Sequence, residues 1–118
     1  MNKQRLAGIE KEISRIISTL LMGEIKNSQL KKAIVSVNHI RVTEDLKFAD
    51  VYFTVMPFSG QKVDLKAVEE SLNAVKGFMR KRVSEELSLR YTPEIRVKID
   101  DSIEHAMKIT RLLNDIKG

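Results

Sequence analysis

Lys76, Arg80, Lys81, Arg82 and Arg90 crowd into one short stretch of the chain, opposed there only by Glu85 and Glu86. Side chains of this type do one kind of chemistry at neutral pH: they hold anions, phosphate above all. Part of the set has local partners, because Lys81 with Glu85 and Arg82 with Glu86 stand at i, i+4, where a helix pairs them. Lys76 and Arg80 share a helical face as well, but the next position on it is Ser84, so their charge has no local helical partner. Two readings of the stretch stand side by side: a solvated helix face with ion pairs, and an RNA contact. Further cations are Lys3 and Arg5 near the amino terminus, Lys26, Lys31, Lys32 and Arg41 around one candidate strand, and Arg96 and Lys98 on another. They form a binding patch only if the fold brings several together.

Other chemistries lack parts. Glu44-Asp45, Glu69-Glu70, Glu85-Glu86 and Asp100-Asp101 are carboxylate pairs, but each sits where a turn, a cap or a solvated helix face explains it. There is no GxSxG elbow and no glycine-rich phosphate loop; Gly8, Gly23, Gly60 and Gly77 are scattered singly. The absence of cysteine removes disulfides, thiolate ligands and cysteine nucleophiles. His39 and His105 stand alone, and a zinc site needs further ligands. Met22, Met56, Met79 and Met107 read as core or near-core filling. The expectation is a protein without catalytic residues, metal or cofactor.

A chain of 118 residues fits one compact domain spanning 1–118, with a core that needs no crosslinks. No apolar run approaches the roughly 20 residues of a membrane span, and Met1-Asn2-Lys3-Gln4-Arg5 leads into an amphipathic pattern rather than a signal-peptide core. A cytoplasmic protein without membrane contact is expected. A net charge of +5 favours a polyanionic partner. With no surplus apolar stripe, a monomer is expected.

The elements that must position these residues follow from periodicity. Leu6, Ile9, Ile13, Ile16, Ile17 and Leu20 mark one face of a helix from about Lys3 to Met22. A strand from about Ala33 to Val42 alternates at Val35 and Val37, then in the opposite phase at Ile40 and Val42, which predicts a bulge near Asn38-His39. Ala49, Val51, Phe53 and Val55 alternate in a second strand, linked so tightly to the first that an antiparallel hairpin is expected. Asp64 can cap a helix whose stripe is Leu65, Val68, Leu72 and Val75. The stripe resumes at Phe78, Met79, Val83 and Leu87 after Gly77, so a kink or break into two helices is expected there. Ile95, Val97 and Ile99 form a third strand after Pro93. Ile103, Met107, Ile109, Leu112, Leu113 and Ile116 predict a last helix. The order α-β-β-α-α-β-α is an α+β architecture with one three-stranded sheet.

The aromatic residues bear on how RNA would be held. Phe48, Tyr52, Phe53, Phe58, Phe78 and Tyr91 are the whole set, Phe53 and Phe78 are in core phase, and no single strand carries the pair that a base-stacking module uses. Backbone and shape recognition is expected over reading of splayed bases.

Three segments, in order, resemble the ribosome-binding factor A family over nearly the whole chain. Leu87-Ser88-Leu89-Arg90-Tyr91-Thr92-Pro93-Glu94-Ile95, with Ile99-Asp100-Asp101-Ser102 after it, is similar to an L-x-L-R-x-x-P pattern leading into a strand and then D-D-S. Val42-Thr43-Glu44-Asp45-Leu46-Lys47-Phe48-Ala49-Asp50-Val51-Tyr52 resembles V-x-x-D-L-x-x-A-x-V-Y, and Gly77-Phe78-Met79-Arg80 resembles G-x-[IL]-R. The resemblance implies a KH-like domain of the second type, with a helix–kink–helix near Gly77 in place of the usual GXXG loop. It implies a non-catalytic assembly factor that binds free 30S subunits through 16S rRNA. Its role would lie in late maturation, rRNA processing and growth at low temperature. Val75 stands where the family often has alanine, and Val97 where it often has an aromatic. The RNA-binding residues expected are Lys3, Arg5, Arg41, Lys76, Arg80, Lys81, Arg82 and Arg90. The competing expectations are a KH-like module for other RNAs, recognised by base preference on single strands, and a protein–protein adaptor, recognised by salt-insensitive binding.

Overall fold

The computed structural model describes residues 3–23, 25, 30, 33–58 and 62–100. Within them the order is α1 (Lys3–Gly23), β1 (Ala33–Val42), β2 (Phe48–Pro57), α2 (Leu65–Glu86) and β3 (Glu94–Asp100). The helix expected from Ile103 onward, together with His105 and Met107, lies outside the described residues, as do Lys26, Lys31, Lys32 and Gly60.

The sheet order is β1-β2-β3, with β1 antiparallel to β2 and β2 parallel to β3. A parallel neighbour needs a crossover, and α2 supplies it. The hairpin closes through Thr43: its N–H donates to the Phe48 carbonyl at 3.0 Å, and its Oγ1 accepts from the Phe48 N–H at 3.1 Å. Asp45 Oδ1 accepts from the Thr43 hydroxyl at 2.7 Å and from the Lys47 N–H at 3.1 Å. These two bonds, the hydroxyl first, hold the Asp45 carboxyl below its ordinary pKa. Leu46 takes a left-handed backbone, φ 61°, which is unusual for a branched side chain, while its side chain packs against the core. The turn hydrogen bonds and that packing together hold it there.

Both helices cover one face of the sheet. Ile13, Ile16, Ile17 and Leu20 of α1 meet Ile40, Val42, Ala49, Val51, Phe53, Ile95 and Val97 of the sheet and Val68, Leu72, Met79 and Val83 of α2 in one core. Full burial of a side chain of this size contributes about 1.5–3 kcal/mol. The opposite face carries no described helix. Glu10 of α1 also satisfies the end of β1, accepting the Val42 N–H at 2.8 Å.

The phase change in β1 is a register shift between Val37 and His39, where the alternation placed it. Asp64 caps α2, its Oδ1 accepting from Lys66 N–H at 3.1 Å and Ala67 N–H at 3.2 Å. Three expectations are corrected. The helix is not divided at Gly77: α2 is a single element of 22 residues. The cost of one glycine, about 1 kcal/mol, is smaller than what the buried Val68 and Leu72 before it and Met79 and Val83 after it contribute to holding both halves on the sheet. Phe78 is not core but 41% exposed, because Met79 takes the inward position next to it. Met22, at 88% exposure, and Met56, at 46%, lie outside the core, at the end of α1 and on the open face of β2.

Candidate nucleic-acid interface

The eight expected RNA-binding residues fall on two faces. Lys76, Arg80, Lys81 and Arg82 are on α2, on the helical side of the sheet. At 100° per residue, Lys76 and Arg80 share one flank of the buried stripe, Lys81 turns outward, and Arg82 reaches the other flank beside Phe78. Lys3 and Arg5 are exposed in the first turns of α1. Arg41 is exposed on β1 between the buried Ile40 and Val42, so it points to the opposite face of the sheet and cannot join the α2 group. Arg90 is exposed in the segment between α2 and β3, its guanidinium 5.6 Å from the centre of the Tyr91 ring.

The partners differ from those expected by spacing alone. Arg82 pairs with Glu85 at 3.7 Å and lies 5.8 Å from the centre of the Phe78 ring. Glu86 faces α1 and meets Arg15 at 3.8 Å. Arg80 has a partner off its own helix: Nε and Nη2 donate to the Thr92 carbonyl at 3.3 and 3.0 Å. That contact pins the segment bearing Arg90 and Tyr91 to α2. A carbonyl does not neutralise the guanidinium, so Arg80 is oriented while its charge stays available for phosphate. Lys76 and Lys81 make no ion pair with a described residue. Lys76 and Arg80 thus share one flank of α2, and the Arg80–Thr92 bonds tie the segment that carries exposed Arg90 and Tyr91 to that helix.

The open face of the sheet holds side chains that single-strand patterns do not reveal. His39 and Tyr52 are register partners, and their rings stack with centroids 4.1 Å apart and planes inclined by 12°. Arg96 makes a two-point ion pair with Asp50, through Nε and through Nη2 at 3.0 Å, and its guanidinium lies 4.2 Å from the Phe48 ring centre. The carboxylate bonds raise the Arg96 pKa. Among the described residues no group of His, Asp and Glu side chains is arranged to hold a metal ion, and no helix is long and apolar enough to cross a membrane.

A family model described as ribosome-binding factor A matches residues 5–113. A protein described as ribosome-binding factor A from Fusobacterium nucleatum subsp. nucleatum is 57% identical over 120 aligned positions, covering 99% of each chain. Among known structures, a putative ribosome binding factor A of Thermotoga maritima, solved by solution NMR, superposes with a TM-score of 0.64 at 27% identity, covering 88% of this chain and 94% of that one. Coordinates of the Thermus thermophilus ribosome binding factor A, fitted as a homology model into a cryo-EM map of its 30S complex, superpose with a TM-score of 0.63 at 11% identity, covering 81% and 96%. At that identity the last likeness concerns the fold alone, and the α+β architecture agrees with a KH-like domain.

Proposed function

The chain belongs to the ribosome-binding factor A family, and from that premise we propose that it associates with the free 30S ribosomal subunit through 16S rRNA and assists late maturation and rRNA processing, without catalysis or cofactor. It acts as a cytoplasmic monomer, built as a single domain over 1–118, and its loss is felt most during growth at low temperature. The observation that carries the reading is the α2 surface: Lys76 and Arg80 on one flank, with Arg90 held close by the Arg80–Thr92 contact. Cations presented along one flank can neutralise backbone phosphates. Lys81, Arg82, Lys3 and Arg5 extend the positive surface, each as a further point of contact, whereas Arg41 serves the other face.

Co-sedimentation with purified small subunits, large subunits and full ribosomes across a salt series tests this. Retention on free small subunits alone, lost steeply as salt rises, is expected, because each neutralised phosphate releases counterions. Equal retention on all three, or retention indifferent to salt, would overturn it. The second outcome would point instead to a protein–protein adaptor.

A further inference from the structure

The bulge in β1 determines what the open face can do. In an unbroken ladder continuing from Val37↔Phe53, Asn38 would stand opposite Tyr52 and His39 would turn into the core. The extra residue puts His39 opposite Tyr52 instead, with Ile40 and Val42 returned to the core side. Bulges re-aim side chains in this way and gather near functional sites. The result is a stacked ring pair on a face with no described helix over it, with His39 itself exposed on an edge strand.

The charges around the rings have a sign. Arg41 follows His39 by two positions on the same face, and Lys98 is the register partner of Tyr52 on β3. Both are exposed and neither makes an ion pair with a described residue. Of the nearby acids, Asp50 is paired with Arg96, and Asp100 accepts from the neutral Asn38 side-chain amide and keeps its charge, so Arg41 and Lys98 are two cations against one carboxylate outside the Asp50–Arg96 pair. A two-ring stack beside two cations, with an outer ring face left to extend the stack, complements an aromatic ring carried on a polyanion.

We infer that this face is a second RNA contact, where His39 and Tyr52 form a stacking platform for one unpaired nucleobase and Arg41 and Lys98 take the phosphates on either side of it. The inference rests on the RNA-binding reading above and adds base stacking to the phosphate contacts proposed for the α2 cations. It also makes the sheet bind on the side opposite α2, so the two contacts engage separate stretches of RNA.

The test is fluorescence anisotropy of a labelled short oligoadenylate, compared with an abasic ribose-phosphate strand of equal length. Quenching of Tyr52 emission is followed in parallel in the Tyr91→Phe protein, where Tyr52 is the remaining tyrosine. The base-bearing strand should bind more tightly and quench Tyr52. His39→Ala and Tyr52→Ala should each weaken it roughly tenfold, Tyr52→Phe should bind nearly as the parent does, and the abasic strand should not distinguish the variants. Thermal melts confirm that each variant is folded at the assay temperature. No binding of the oligoadenylate, equal binding of the abasic strand, or alanine variants that bind like the parent would each overturn the platform. If Ile34→Lys, at the apolar end of this face, abolished subunit retention while the ring variants did not, the face would be a protein dock and the inference would likewise fall. Retention on small subunits is read separately, so the platform can fail while the α2 reading stands, and the reverse.

Discussion

Removing the α2 cations in two steps separates a binding role from a structural one. Lys76→Gln with Lys81→Gln deletes two charges that make no hydrogen bond or ion pair with a described residue, so stability should change by less than about 0.5 kcal/mol. Adding Arg80→Gln also deletes the two bonds to the Thr92 carbonyl, which in an exposed setting should cost about 1 kcal/mol more. Binding should respond differently. Each lost phosphate contact flattens the plot of log affinity against log salt by roughly 0.7–0.9. Three contacts then flatten it by roughly 2–2.7, which makes the loss of affinity between 50 and 200 mM salt about thirtyfold smaller than for the parent. Co-sedimentation with small subunits over that salt range measures the slope, and a melt measures the stability. Because Lys81 points away from the flank shared by Lys76 and Arg80, a slope reduced by roughly 1.4–1.8 rather than roughly 2–2.7 would confine the contact to that flank. An unchanged slope in the triple variant would refute the assignment of these residues to phosphate.

Gly77→Ala should stabilise the protein by about 0.5–1 kcal/mol, read as a rise in melting temperature, since α2 is continuous and a Cβ at this position meets no atom within 4 Å. A fall would show that the backbone at Gly77 departs from a regular helix. Asp64→Ala should cost about 1 kcal/mol by removing the acceptor for Lys66 and Ala67 N–H, with Asp64→Asn or Asp64→Ser largely restoring stability in urea titrations. Asp45 has a folded pKa below its unfolded value of 3.8, so its contribution is present above pH 3.8 and lost as pH falls through the folded value. Melts at pH 7 and near pH 2 should therefore show Asp45→Ala destabilising at the first and converging towards the parent at the second.

What could be foreseen from sequence divides along physical lines. Elements specified by local pattern were legible: the six buried positions of α1, the phase change of β1, the alternation of β2 and β3, and the Asp64 cap all depend on residues near one another in the chain. Positions set by competition between neighbours were less so. Phe78 and Met79 both fit the edge of an apolar stripe, and only packing against the sheet decides that Met79 turns in and Phe78 out. Gly77 shows the same limit, because intrinsic propensity argues for a break and tertiary burial on both sides overrides it. Contacts between distant segments were least legible. Arg80 with Thr92 depends on the path from α2 into β3, and His39 with Tyr52 depends on the hairpin register after the bulge, which no single strand displays. The phase change was the one signal that could have found the ring pair: counting one extra residue at Asn38 sets His39 beside Tyr52.

The continuous α2 constrains how phosphate can be held on its side of the sheet. A GXXG loop between helices would offer backbone N–H groups to an anion, as a helix N-terminus does. In α2 the N–H groups beyond the first turn are committed to helical hydrogen bonds, including those around Gly77. Phosphate binding along Lys76 and Arg80, as proposed above, would therefore come from side chains. Arg80 is oriented by Thr92 and can supply a fixed point, whereas Lys76 is a mobile cation that tolerates displacement of its phosphate. A surface of that kind gains little from a single rigid RNA geometry and responds strongly to salt. Discrimination beyond backbone and shape would then come from exposed rings, either Tyr91 beside this surface or the ring pair on the open face.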